Sequence, residues 1–311
     1  MNRLGILSRD AEHYRNLLAE QTLAELQLVF VGDDPAQIST FEDLDILLAD
    51  PDLAANILEQ CTNLKWLQST WAGNKPLFDC QKRDYQLCGV KDVFGPSMVE
   101  YVFTYLLHFA RNVEGFIEAQ QQRRWQAPKT GDLYGAKLGI MGVGSIGKAL
   151  AKSAKAFAME VHGLSHSSTD CSDVDHYYTL DELPDFAASL DYLVCLLPDT
   201  KDTAGLINQA FLAALPKHCV LINAGRGPCI DEQALLEALQ SNQLRAAVLD
   251  VTMQEPLPCE HPFWHSPNLY LTQHTAAISK PEQITTLFIA NYHCYTRQLE
   301  LKHVLDFSKA Y

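Results

Sequence analysis

The 311-residue sequence lacks several features that mark common protein classes. Its nine cysteines form no C-x-x-C pair, which argues against a disulfide framework or zinc site and favours a reducing compartment. A formal net charge of −14 argues against nucleic acid and anionic membrane surfaces as partners, because both need a basic face. No apolar run approaches the ~20 residues that span a bilayer, and the first apolar segment is too short for a signal peptide. We therefore expect a cytoplasmic protein with no metal site, nucleic acid partner or membrane partner.

What the sequence does contain is typical of a globular protein. Its residues are 47% hydrophobic and 20% charged, and the length suits roughly two domains. Up to about residue 95, short apolar runs alternate with amphipathic stretches, which predicts a parallel α/β unit. We expect strands at 4–7, 28–31, 46–49, 66–69 and 86–90, and a helix at 9–26.

A glycine-rich stretch at 137–147, K-L-G-I-M-G-V-G-S-I-G, predicts a buried strand, a tight turn and a helix start. In such a cradle for a diphosphate, Gly142 permits the turn, Gly144 lets the backbone approach the phosphates, and Gly147 lets helix and strand pack closely. The motif is weak by itself. Six strands predicted at 138–143, 160–164, 191–197, 219–223, 246–251 and 269–273 supply the context of a dinucleotide-binding domain.

Two helices are predicted at the boundaries of this domain. Ser97 and Glu100 have capping-box spacing and open a helix as far as about residue 125, with an apolar surface too broad for burial on one side. This helix either lies between two domains or also packs against a second subunit. The stretch S-K-P-E at 279–282 opens a helix to about 301 that returns to the first domain. We thus expect one domain at 1–96 and 279–311, and another at 97–278.

Three residues follow successive strands of the second domain. Arg226 lies between two glycines in I-N-A-G-R-G-P-C-I-D-E, Glu255 lies in L-D-V-T-M-Q-E-P-L-P, and His274 lies in Y-L-T-Q-H-T-A-A. Open α/β sheets bind ligands beyond the carboxyl ends of their strands. An arginine there can hold a carboxylate, and a carboxylate beside an imidazole stabilises the protonated ring. A lone histidine or glutamate is more often structural, but three such residues together indicate chemistry.

With these motifs, L-L-P-D-T-K-D-T at 196–203 and P-F-W-H-S-P-N-L at 262–269, nearly the whole chain resembles the D-isomer-specific 2-hydroxyacid dehydrogenase family, in particular its glyoxylate/hydroxypyruvate reductase branch. The resemblance implies an α/β fold in which a Rossmann dinucleotide-binding domain is inserted in a flavodoxin-like substrate domain. It implies catalysis by His274 as general acid, Glu255 as its orienting partner and Arg226 on the substrate carboxylate.

The resemblance also implies binding residues. Substrate would contact Trp71, Ala72, Gly73, Arg226 and His274. The cofactor would contact Gly142, Gly144, Ser145, Ile146, Gly147, Ser165, His166, Ser167, Leu197, Pro198, Thr203, Ala224, Arg226, Asp250 and His274.

The chain departs from the family pattern at two places. Gln273 stands where the family usually has a proline before its histidine. Residues 165–168 read S-H-S-S, where an NAD enzyme normally has a carboxylate for the ribose 2′-hydroxyl. Without that carboxylate nothing repels a 2′-phosphate, so we expect NADP(H) in preference to NAD(H), although the arginines of NADPH-preferring relatives are missing.

Two hypotheses for function follow. The first is an enzyme that reduces a small 2-keto acid such as glyoxylate or hydroxypyruvate, as a homodimer formed through 97–125. The second is a nucleotide-sensing binding protein, like the co-repressors that the family resembles, which can keep all three catalytic residues. The acidic charge disfavours the second. A methyltransferase would not explain the three stretches around Arg226, Glu255 and His274.

Overall fold

The computed structural model describes residues 1–38, 40–165 and 170–308. The chain divides into two compact units, Met1–Val93 with Ser279–Tyr311, and Phe94–Ile278. The division falls three residues before the boundary expected at 96/97, because the helix that opens the second unit already begins at Gly95. No helix in the described ranges is long and apolar enough to cross a membrane.

The first unit contains a five-stranded parallel sheet in the order 2-1-3-4-5, which is the flavodoxin-like arrangement. Its strands are β1 (Asn2–Leu7), β2 (Leu26–Gly32), β3 (Ile46–Ala49), β4 (Trp66–Ser69) and β5 (Gln86–Cys88). Its helices are α1 (Ala11–Ala19), α2 (Pro51–Ala55) and α3 (Lys75–Asp79). Every residue of β3 and β4 is buried, as expected for central parallel strands covered on both faces.

The second unit contains a seven-stranded parallel sheet. Its strands are β6 (Lys137–Met141), β7 (Glu160–Leu164), β8 (His176–Tyr178), β9 (Tyr192–Cys195), β10 (Val220–Asn223), β11 (Ala246–Leu249) and β12 (Leu269–Leu271). Its helices are α4 (Gly95–Ala110), α5 (Val113–Gln121), α6 (Ser145–Ala156), α7 (Leu183–Ala187), α8 (Gln209–Ala214) and α9 (Glu232–Gln240). The order β8-β7-β6-β9-β10-β11-β12 is the 3-2-1-4-5-6 order of dinucleotide-binding domains with one strand added. The predicted fold class is therefore confirmed.

The last helix, α10 (Pro281–Thr296), belongs to the first unit. Its Phe288 ring stacks on the buried Trp66 of β4 with ring centroids 5.0 Å apart. The amide of Asn291, also fully buried, donates to the Gln68 side chain at 3.0 Å. These contacts bring the end of the chain back to the first sheet.

Several local predictions were wrong. The helix expected at 97–125 is two helices, because Asn112 adopts a left-handed conformation (φ 50°) and caps the next helix through the backbone N–H of Gly115. The capping boxes do not form: α4 begins two residues before Ser97, and α10 begins at Pro281 after Lys280. Strand β8 was missed because its three side chains are at most half-buried and form no apolar run.

Candidate active site

The predicted site residues of the second unit follow the carboxyl ends of its strands. The glycine loop follows β6, Leu197 and Pro198 follow β9, Ala224 and Arg226 follow β10, Asp250 and Glu255 follow β11, and His274 follows β12. All seven strands are parallel, so these ends lie at one edge of the sheet, where α/β folds bind ligands. The structure thus places them on one side of the unit.

The glycine loop has the geometry that a phosphate cradle needs. Gly142 has a φ of 102°, a conformation that side chains rarely adopt. A Cβ on Gly147 would lie 2.3 Å from the Gly142 carbonyl oxygen, so helix α6 can begin here only with glycine. A Cβ on Gly144 would meet nothing within 4 Å, which leaves open space beside the first turn of α6. Ser145 and Ile146 lie in that turn, whose N–H groups favour an anion.

The loop that carries Arg226 packs closely between the segments that follow β9 and β11. A Cβ on Gly225 would lie 2.7 Å from the Leu197 carbonyl oxygen, and one on Gly227 would lie 2.0 Å from the Thr252 carbonyl group. The Asn223 side chain also spans the loop, accepting from the Gly225 N–H at 3.1 Å and donating to the Arg226 carbonyl at 3.1 Å. The Arg226 side chain itself makes a bond from Nη1 to the Gly225 carbonyl at 2.7 Å.

His274 and Glu255 form a pair. The Nδ1 atom of His274 lies 2.7 Å from Oε2 of Glu255, and the other carboxylate oxygen accepts from the Thr252 N–H at 3.1 Å. The side chains are 54% and 38% exposed, so both are accessible. The pairing at Nδ1 leaves Nε2 of the imidazole on the side away from the carboxylate, available to a ligand.

Asp250 has a role that sequence reasoning missed. Its carboxylate is buried and accepts from the Thr272 hydroxyl at 2.5 Å and from the Thr275 and Ala276 N–H groups at 2.8 and 3.0 Å. Its carbonyl accepts from the His274 N–H at 2.8 Å. Asp250 therefore holds the whole turn in which His274 adopts a φ of 58°. Gln273, in the same turn, is exposed.

A tyrosine of α4 supports the same turn. The Tyr101 hydroxyl lies 2.9 Å from the Thr272 hydroxyl. Burial of the ring raises the pKa of Tyr101, so that the phenol stays neutral and can hydrogen-bond with Thr272. Nothing in the local sequence connects residue 101 with residue 272, so only the fold reveals this contact.

The remaining predicted residues have varied positions. The Thr203 hydroxyl donates to the Pro198 carbonyl at 2.6 Å, and so it fixes the segment after β9. Ser165 follows β7, and its N–H donates to the Tyr178 carbonyl at 3.1 Å. His166 and Ser167 lie outside the described residues. Trp71, Ala72 and Gly73 follow β4 in the first unit, where the Trp71 N–H donates to the Ser69 hydroxyl at 3.1 Å.

The fold and these residues define a two-unit α/β protein with a dinucleotide-binding sheet and an accessible histidine–carboxylate pair beside an arginine loop. The family model for the D-isomer specific 2-hydroxyacid dehydrogenase, NAD binding domain, matches residues 103–276, more than half of the chain. The chain belongs to this family, and the predicted resemblance is confirmed.

Individual relatives place the chain near one branch of the family. It is 36% identical over 195 residues to glyoxylate/hydroxypyruvate reductase A of Serratia proteamaculans, a match that covers 63% of this chain and 62% of that protein. The match thus spans under two thirds of that relative's length. The structure of a D-isomer specific 2-hydroxyacid dehydrogenase family protein from Aeromonas salmonicida has a TM-score of 0.94 and 38% identity, covering 98% of this chain and 99% of that one.

A third relative was solved with a nucleotide. The NADPH-dependent glyoxylate/hydroxypyruvate reductase of Sinorhizobium meliloti, in complex with NADP and sulfate, has a TM-score of 0.89 and 27% identity, and the match covers 100% of both chains.

The glycine loop supports a prediction about stability. We expect Gly147→Ala to lower the free energy of unfolding by about 1–3 kcal/mol, because its methyl group would overlap the Gly142 carbonyl oxygen. Gly144→Ala is the matched control and should stay within about 0.5 kcal/mol of wild type, since its methyl group meets open space. Urea denaturation followed by circular dichroism measures both. Equal stability of the two variants would contradict the geometry.

Proposed function

We propose that the protein is an NADP(H)-dependent reductase that converts a small 2-keto acid, such as glyoxylate or hydroxypyruvate, to the 2-hydroxy acid. The observation that carries the proposal is the 2.7 Å contact between His274 and Glu255 at the same sheet edge as Arg226 and the glycine loop. The relatives named glyoxylate/hydroxypyruvate reductase support the choice of substrate.

Each proposed site residue has a distinct role in the reduction. Bound NADPH supplies the hydride that adds to the keto carbon. His274, protonated and oriented by Glu255 at Nδ1, donates a proton from Nε2 to the keto oxygen, so that one hydride and one proton complete the reduction. Arg226 binds the substrate carboxylate through its forked N–H groups. Asp250 keeps His274 in place, as a positioning residue.

The chain offers a suitable place for the dinucleotide. The open space beside Gly144 and the first turn of α6 fit a diphosphate, which the helix N-terminus attracts. No carboxylate stands at residues 165–168 to bind a ribose 2′-hydroxyl or repel a 2′-phosphate. This composition, and the NADPH dependence of the Sinorhizobium meliloti relative, support NADP(H).

Substitutions of the proposed catalytic residues test the reaction. We expect His274→Gln and Arg226→Ala each to lower kcat/KM with glyoxylate about 10²–10⁴-fold, because the proton donor or carboxylate partner is lost, while NADPH binding stays within threefold. His218→Gln is the control, since His218 also contacts a carboxylate at 2.8 Å but lies before β10, at the other sheet edge. Steady-state kinetics and fluorescence titration with NADPH measure the two effects.

The same assay separates an enzyme from a nucleotide sensor. Negligible turnover by the wild type with every member of a panel of 2-keto acids, despite tight NADPH binding, would favour the sensor. Wild-type rates in His274→Gln or Arg226→Ala would contradict the proposed catalytic roles.

The composition of residues 165–168 gives a prediction about the nucleotide. We expect kcat/KM for NADPH to exceed that for NADH at least tenfold, and Ser165→Asp to reduce or reverse this ratio, because a carboxylate there would repel the 2′-phosphate and accept from a 2′-hydroxyl. Ser165→Asn, similar in size but uncharged, is the control. A wild-type preference for NADH would contradict the proposal.

We further propose a homodimer formed through α4 and α5. Val113, Phe116 and Ile117 share one face of α5 and are 39–47% exposed, and Leu107 of α4 is 37% exposed. Exposed apolar side chains grouped on one helix are typical of a protein interface. This surface lies within residues 97–125, the region expected from the sequence to have an apolar surface too broad for burial on one side.

Charged substitutions test the dimer. The chain mass is 34.8 kDa, so we expect twice this mass for the wild type by light scattering, and a single-chain mass for Phe116→Glu with Ile117→Glu. Leu180→Glu, also at an exposed apolar residue but outside these helices, should leave the mass unchanged. A monomeric wild type would contradict the dimer.

A further inference from the structure

Three side chains that commonly bind metals meet on strands β7 and β8. Glu160 and His162 are two residues apart on β7 and therefore point to the same face of the sheet. His176 of β8 is the direct partner of His162 in the strand register. The pairing of the two strands, and not a local sequence motif, brings the three side chains together.

Their ligand atoms are close enough to share one ion. The Nε2 atoms of His162 and His176 lie 2.8 and 3.3 Å from the same oxygen of Glu160. One ligand atom from each residue lies within 4.8 Å of the others. Around a tetrahedral zinc with bonds of about 2.0–2.1 Å, neighbouring ligand atoms are about 3.3–3.4 Å apart. Small side-chain adjustments would therefore produce a coordination shell.

The arrangement also holds His162 in a ligating orientation. The side chain is buried, and its Nδ1 atom lies 3.2 Å from the Tyr178 hydroxyl, so that Nε2 is directed toward Glu160. Histidines that bind metals usually have the second ring nitrogen fixed by such an outer partner. The Tyr178 ring also stacks on the His162 ring at 5.7 Å and 17°.

The ordinary alternative is a carboxylate that hydrogen-bonds to two imidazoles. Histidine–carboxylate pairs occur elsewhere in the chain, for example His218 with Asp191 and His261 with Glu232. Each of those pairs has two potential ligands. Within residues 1–38, 40–165 and 170–308, the β7–β8 group is the one place where three such residues converge.

We propose that Glu160, His162 and His176 bind one divalent transition-metal ion, Zn²⁺ in the first instance, with water as the fourth ligand. Imidazole and carboxylate together suit zinc. The His176 and Glu160 side chains are 54% and 36% exposed, which gives the ion a path from solvent. The expectation of no metal site considered only the cysteines, whereas this group contains none.

The proposed site is separate from the active site. Glu160 begins β7 and Ser165 follows its other end, about 16 Å along the strand. The ion would link β8, a three-residue edge strand, to β7. Its role is therefore structural, and it stabilises this edge of the sheet.

Titration with Zn²⁺ tests the site. The protein is treated with chelator and dialysed, and ZnCl₂ is added in a calorimeter at pH 7.5, in a Cys259→Ser background that removes the one exposed thiol. We expect one ion per chain, and at least tenfold weaker binding in His176→Ala and in Glu160→Gln. Both residues are accessible, so these variants should fold. His218→Ala, which removes the histidine of a two-residue pair, should bind as wild type does.

Thermal unfolding gives a second readout. Zinc at about 100 times the Kd of the background protein should raise the Tm by roughly 5 °C in that protein and in His218→Ala, and by no more than about half as much in His176→Ala. The proposal is overturned if saturable binding is missing, if His176→Ala and Glu160→Gln both bind within threefold of the background protein, or if His218→Ala weakens binding equally.

Discussion

The candidate active site depends most on the hydrogen bonds that the buried carboxylate of Asp250 accepts. Its three hydrogen bonds join the end of β11 to the turn after β12, and its own carbonyl binds the His274 N–H. Charge-assisted hydrogen bonds of this kind are among the stronger ones in proteins. His274 is consequently held in a left-handed conformation that an unrestrained histidine seldom adopts. The proposed acid is thus positioned by a residue that lies outside the His274–Glu255 pair.

Close backbone packing holds the other loops of the site in position. The Arg226 loop packs so closely against the segments after β9 and β11 that neither Gly225 nor Gly227 has room for a Cβ atom. In the same way, Gly147 lets the start of α6 pack closely against the turn at Gly142. The segments that follow β9, β10 and β11 are therefore in contact through backbone atoms. A site built this way is preorganised, which reduces the conformational cost of binding a substrate.

The sequence predicted the strands well, because buried parallel strands are continuous apolar runs with turn residues beside them. It also predicted Arg226, Glu255 and His274 as site residues, since they lie in motifs at fixed positions after those strands. It failed where the conformation of a single residue or a contact between distant residues decides the structure. Asn112 divides a helix through its own backbone conformation, β8 depends on pairing with β7, and the Tyr101–Thr272 contact spans 171 positions. Contacts of this kind depend on strand register and side-chain packing, which a single sequence does not show.

Strand β8 links the two ends of β7. The carbonyl of Tyr178 accepts from the N–H of Ser165, at the end where we propose the 2′-phosphate binds, and its hydroxyl contacts His162 in the proposed metal site. An edge strand of three residues has few ladder bonds of its own, so its pairing depends on such side-chain contacts. A bound ion would favour the β7–β8 pairing, and that pairing positions the backbone at Ser165. The two proposed sites would then be coupled through one tyrosine.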